Sequence, residues 1–306
     1  MVTVEESFCE DVKEFVLNLL PNHRNELQSE SWKSVLLVHD NWVTRLISTQ
    51  PRKVIYSEEL LKNPLLTDFQ AEIFNLQKKI ENGENLKPYL SKGVDRSSTV
   101  PNPTSSTPDK DGLLNHWFIH HFHLGSKLEN DGFITRTKEL LFVKVFSDVI
   151  CFIDILDHKS FSSTDLLRIV KKNWPHTIEE FRMSLLEGQP QSPWSDEEIM
   201  GLRRMGGSPL TVIDGSVYAF GITTSGHSLD SMERVRYFHQ MLLRIKDKIE
   251  EKKLDFRDAI FTQTGVKLDV LKMKLIFDNP PQIYPYKVVE ETSSVTLYQF
   301  SPETKS

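Results

Sequence analysis

The sequence predicts an α+β fold: a helical N-terminal region, a small mainly antiparallel sheet with flanking helices, and a smaller C-terminal α/β part. Three observations carry this. Apolar residues recur at helical spacing through the first ninety positions. A stretch rich in Ile, Val and Phe follows between 116 and 156, and short helical and strand-like segments mix again after 190.

The elements follow in order. Phe8, Val12, Phe15, Val16 and Leu19 mark a first helix that ends at Pro21-Asn22. A second starts near Ser29 or Ser31 and carries Trp32, Val35, Leu36, Trp42, Val43, Leu46 and Ile47. A third follows Thr67 as N-cap, with Phe69, Ile73, Phe74, Leu76 and Ile80 inward and Gly83 as its stop. These make a helical region over 1–90. Residues 91–112 turn rich in Ser, Thr, Pro, Asp and Gly and read as a linker or loop. A His-rich α+β core is expected over 113–190. Its strands are His116–Leu124, Ile134–Phe146 and Val149–Leu156, the last two joined by a tight turn at Ser147-Asp148. Helices follow from Ser163 to Asn173-Trp174-Pro175 and over about 177–187. In the C-terminal α/β region, 191–306, Ser195 with Glu198 forms a capping-box pattern for a helix over 196–205, closed by Gly206-Gly207. Leu210–Ile213, Asp214-Gly215 and Val217–Phe220 spell a hairpin, because Asp-Gly suits a type I′ turn. A long helix is expected over 229–252, then strands at Leu268–Phe277, Ile283–Val289 and Val295–Phe300.

Composition narrows the function classes. With 306 residues, 39% hydrophobic and 26% charged, the chain has material for a real core and is neither low-complexity nor collagen-like. A net charge of −6 provides no global field that would draw it to DNA or membrane. No stretch of about 18 apolar residues would span a bilayer. Two cysteines far apart, Cys9 and Cys151, and an acidic start without the pattern of a secretion signal point to a reducing cytoplasm.

One feature carries chemistry. Six of the ten histidines fall between 116 and 176, four of them (His116, His120, His121, His123) within eight residues. On an extended strand His116, Phe118, His120 and Phe122 share one face, and Trp117, Ile119, His121 and His123 the other. Imidazole takes and gives protons near neutral pH, as cleavage of a phosphodiester next to a ribose 2′-hydroxyl requires, and a fixed cation must hold the phosphate oxygens. His121 and His123 are the candidate bases, His158 the candidate acid and Arg136 the phosphate clamp. They would converge at one end of the sheet if the three strands pair. Lys138, Lys144, Lys159 and Lys171 are candidate substrate-binding cations. Over 136–172 seven Lys and Arg stand against five Asp and Glu, which suits RNA as a partner. This reading needs no cofactor. A second assigns His121, His123, Asp154 and His158 to a metal-dependent hydrolase, although no sharp zinc signature is present. A third makes the histidines structural, in a non-enzymatic interaction protein.

The order of HFHL, RTKELLFVKV and VICFIDILDHKSF over 113–161 resembles the core of RelE/ParE/HigB-type ribonuclease toxins. That resemblance implies cofactor-free RNA cleavage, with Arg136 and His158 as the matching residues, and an antitoxin as a protein partner. The chain is about three times the size of such toxins and acidic where they are basic. The stretch Asp111 to Leu124, D-x-L-L-x-x-W-x-I-H-H-x-H-L, with Asn173-Trp174-Pro175 after it, also resembles a group of bacterial and phage proteins, which implies no activity. Other motifs are weaker. The small residues Thr223–Ser228 lack a Walker lysine, no G-x-S-x-G exists, and Cys151 sits in an apolar strand.

Overall fold

The computed structural model describes residues 4–20, 23–95, 111–184, 194–205, 207–223 and 226–250, and beyond them only the backbone of five short strands. In chain order the elements are α1 (Val4–Leu19), α2 (Arg24–Leu27), α3 (Trp32–Arg45), β1 (Lys53–Tyr56), α4 (Glu58–Lys62), α5 (Leu65–Asp68), α6 (Gln70–Glu81), α7 (Gly112–Trp117), β2 (His120–His123), β3 (Glu139–Val145), β4 (Val149–Asp157), α8 (Thr164–Asn173), α9 (Asp196–Arg204), β5 (Thr211–Ile213), β6 (Ser216–Tyr218) and α10 (Leu229–Glu250). The short strands are β7 (Ile260–Phe261), β8 (Val266–Asp269), β9 (Lys274–Phe277), β10 (Tyr286–Glu291) and β11 (Ser294–Gln299). The fold is α+β.

The chain forms two compact units. One holds Met1–Asn41, Thr99–Pro108 and Asp230–Ser306, the other Trp42–Ser98 and Asp109–Leu229. In the first, α1 buries Phe8, Val12, Val16 and Leu17, spaced to one face as amphipathic burial demands. Arg234 of α10 grips Asp40 of α3 with two parallel hydrogen bonds, Nε to Oδ1 at 3.0 Å and Nη2 to Oδ2 at 2.7 Å.

The second unit is built on a four-stranded sheet of order β1-β4-β3-β2, in which only β1 and β4 run parallel. Period-2 alternation splits its side chains into two cores. Leu141, Val143, Ile150, Phe152 and Ile155 pack with Ile73, Leu76 and Ile80 of α6. Leu140, Phe142, Cys151 and Ile153 pack on the other face with Trp117, Leu166, Leu167, Val170, Ile199 and Tyr218. The sheet is therefore covered on both faces. The β3–β4 register shifts between Phe142 and Val143, a bulge that opposes two β4 residues to one of β3.

Several expected elements form as read. The Ser195–Glu198 capping box opens α9, and Asp214 and Gly215, with φ of 48° and 76°, close the β5–β6 hairpin. Gly83, at φ of 69°, stops α6. Other elements differ. The strand expected over His116–Leu124 is a helix followed by a shorter strand. Asp111 caps α7 through the Leu114 amide, and Phe118 turns the chain in the left-handed region before β2 begins. β1 interrupts the region expected to be helical. Thr67 lies inside α5 instead of capping α6, and Phe74 faces solvent. The helix expected over 177–187 is replaced by short 3-10 turns at Pro175–Thr177 and Glu179–Phe181, after which Arg182 bridges to Tyr218. Most of the 91–112 linker, the Gly206 stop, and parts of the expected C-terminal strands lie outside the described residues.

Candidate functional site

The site sits where β2 ends, β3 begins and β4 gives way to a 3-10 turn, His158–Ser162. Pairing explains the convergence. His121 lies opposite Phe142, His123 opposite Leu140, and Glu139 opposite Asp157, so the residues flanking these positions meet at one sheet end. His121 and His123 share a face, as alternation requires. Their rings are 6.2 Å apart, and the His123 ring is 5.7 Å from that of His158. Phe161 packs edge-on against His121 at 4.8 Å and lies 5.9 Å from His158.

Exposure grades across the three imidazoles. His121 and His123 are buried, at 8% and 1% exposed, whereas His158 is open to solvent. Burial pushes the pKa of His123 down to about 3, and the charges of Arg136, His121 and His158 push the same way. His123 is therefore neutral at pH 7. The Thr137 amide donates to its Nδ1 at 3.4 Å, which leaves the ring proton on Nε2. That Nε2 has no hydrogen-bond partner among the described residues. His158 has the opposite arrangement. Its Nδ1 lies 2.8 Å from the carbonyl oxygen of Lys138, which can only accept, so in the neutral ring Nε2 is the free base. In the neutral rings the free lone pair therefore lies on Nε2 of His158, and the free N–H on Nε2 of His123.

Arg136 is exposed, and its Nη1 donates to the Leu90 carbonyl at 3.0 Å. Gly125 makes this placement possible, because a Cβ there would stand 2.0 Å from the Thr135 carbonyl oxygen. The Thr137 hydroxyl adds a second tie, accepting from the Leu124 amide at 3.0 Å and donating to the Glu139 carbonyl at 2.6 Å. Lys138 and Lys159 are exposed next to this end.

Three expected residues fall elsewhere. Lys144 shares the Leu140–Phe142 face and is buried with its amine against aromatic rings, so it does not bind substrate at this site. Lys171 donates to the Ile213 carbonyl at 2.8 Å and pairs with Asp214, away from the histidines. Asp154 receives the Asn63 side-chain amide at 2.7 Å, and its burial raises its pKa. The four-ligand metal set therefore does not assemble, and among the described residues no three His, Cys, Asp or Glu side chains group as metal ligands.

Sequence reasoning missed the support behind the site. Arg203 of α9 is buried, stacks over Trp117 at 4.1 Å, and donates from Nε to His116 Nδ1 at 3.1 Å and from Nη1 to the Phe161 carbonyl at 2.6 Å. Burial, with the Arg203 charge next, pushes the pKa of His116 down to about 3. His116 is thus a neutral acceptor in the core and no part of the wet site. No protein-family model, curated protein or solved structure matches this chain.

Proposed function

We propose that this chain is a metal-independent ribonuclease in which His158 and Arg136 do the exposed work and His123 supports them. The observation that carries the reading is the 5.7 Å separation of the His123 and His158 rings, with the Arg136 charge bearing on His123. In this mechanism the Nε2 of His158 takes the proton of a ribose 2′-hydroxyl, whose oxygen attacks the adjacent phosphorus. Arg136, with Lys138 and Lys159 nearby, holds the phosphate oxygens as charge grows on them. The departing 5′ oxygen takes its proton from a solvent water at this exposed end, His158 returns the proton it took to the hydroxide left behind, and neutral His123 keeps its own proton and packs beside the His158 ring. Products are a 2′,3′-cyclic phosphate and a free 5′-hydroxyl.

The burial of His121 and His123 favours a second reading, in which the rings are structural and the chain is an interaction protein. The purified protein, incubated with an RNA oligonucleotide and its all-deoxy counterpart in excess EDTA, separates the two. Ribonuclease action requires cleavage of the RNA alone, leaving cyclic-phosphate ends. Intact RNA, or equal cutting of DNA, overturns it.

A further inference from the structure

The connection from β2 to β3 is a small hairpin that leads into Arg136. Leu128 bridges Ile134, the Thr135 amide donates to the Lys127 carbonyl at 2.8 Å, and Gly132, at φ of 82°, turns the tip. Phe133 and Ile134 are buried, whereas Arg136 is exposed. A hairpin this short is marginal by itself, so its place is set by what it leans on. That support is the segment of two 3-10 turns, Lys87–Tyr89 and Lys92–Asp95, anchored by Leu86 and Leu90 in the core that also holds Phe133.

The contacts between the two segments run in step. The Ile134 amide donates to the Pro88 carbonyl at 2.9 Å and Arg136 Nη1 to the Leu90 carbonyl at 3.0 Å. Lys92 Nζ then reaches Glu129 Oε2 at 2.8 Å and also Asp131. No other cation among the described residues pairs with either carboxylate. Asp131 accepts from the Phe133 amide at 3.1 Å as well, so the lysine grips the turn that shapes the tip. Hydrogen bonding to Lys92 holds the Asp131 carboxyl below its ordinary range, and Asp131 and Glu129 raise the lysine in return, so the clamp stays charged through neutral pH. Exposed ion pairs of this kind add little to stability. Its place, two residues after the carbonyl that holds Arg136, points to another use.

We propose that Lys92 is a positioning residue: by clamping the hairpin tip it keeps the Arg136 guanidinium against the Leu90 carbonyl, at a fixed reach from the His123–His158 pair. The consequence for rate rests on the ribonuclease reading; the geometry does not. Without the clamp the tip swings, Arg136 leaves Leu90, and the phosphate it holds is no longer placed for attack.

The test uses the full-length chain and its K92M and K92R variants. Phenylglyoxal labelling of Arg136, located by peptide mass with Arg168 as internal reference, reports on the guanidinium without RNA. Loss of one hydrogen bond predicts labelling about threefold faster in K92M than in the wild type, with K92R, which keeps the charge, near the wild-type rate. Equal labelling in K92M and the wild type, or equal acceleration in K92M and K92R, overturns the proposal. In cyclic-phosphate release, kcat is expected to fall about tenfold in K92M, since a misplaced group loses rate steeply, and to recover in K92R. K92M should cost nothing further in an R136A background, as residues acting through one another require. A full further loss there shows Lys92 acting apart from Arg136 and overturns the proposal. No cleavage by the wild type sinks the ribonuclease reading, and the labelling rates still decide this one.

Discussion

Arg203 donates to the Phe161 carbonyl at 2.6 Å, and the ring of Phe161 packs against both His121 and His158. A buried guanidinium on α9 thereby fixes the turn that presents the exposed histidine. Replacing it by methionine keeps the volume but leaves His116 Nδ1 and the Phe161 carbonyl without their donor. Loss of such partners costs about 1–3 kcal/mol each, less what is regained by no longer burying a cation. R203M is therefore expected to lower the urea midpoint at unchanged m-value. An unchanged midpoint would show that the turn is held by other contacts.

Gly125 gives a second handle on the same geometry. Its hydrogen faces the Thr135 carbonyl so closely that a methyl group forces the Thr135–Thr137 segment away. G125A is expected to destabilise the fold by about 1–3 kcal/mol, as overpacking does, and to loosen the Thr137 amide from His123. Thermal denaturation reads the first effect and the His123 nitrogen shifts in NMR the second. Wild-type values in both would contradict the role given to this close approach.

The buried imidazoles set an acid limit. His116 and His123 have folded pKa values pushed down to about 3, below the 6.5 of an unfolded histidine. Between these values the unfolded chain binds more protons than the folded one. Stability is therefore fully present above pH 6.5 and falls as pH drops toward 3. The slope from fully buried His116 alone approaches about 1.4 kcal/mol per pH unit well below 6.5. Urea titrations at pH 7.5, 6 and 5 should show this loss, and H116F should flatten it. A pH-independent midpoint for the wild type would mean that these rings are not held neutral.

Local chemistry was the most legible part of the sequence. The Ser195–Glu198 box, the Asp214-Gly215 turn and the β3–β4 hairpin each depend on neighbours within a few positions. β1 was hidden because four residues after Pro51 carry little periodicity, and its partner β4 lies almost a hundred positions away. α7 was hidden for a different reason. The run His116–Leu124 alternates well enough for a strand, but the Asp111 cap and the turn at Phe118 claim its first half for a helix. The meeting of His123, Arg136 and His158 was readable from strand order, whereas their grading from buried to exposed was not, since α9 and Arg203 supply it from far along the chain. The burial of Lys144 was within reach, because it stands two positions from Phe142 on an alternating strand.

His158 is exposed and Arg136 lies on the surface, so either can be truncated at little cost to the fold. The most direct test compares the rate of cyclic-phosphate release from an RNA oligonucleotide by the wild type, H158A and R136A at pH 7, with circular dichroism confirming equal folding. Acid–base cleavage predicts a loss of at least a hundredfold in each variant. Equal rates in all three proteins, or no release by any of them, would contradict it.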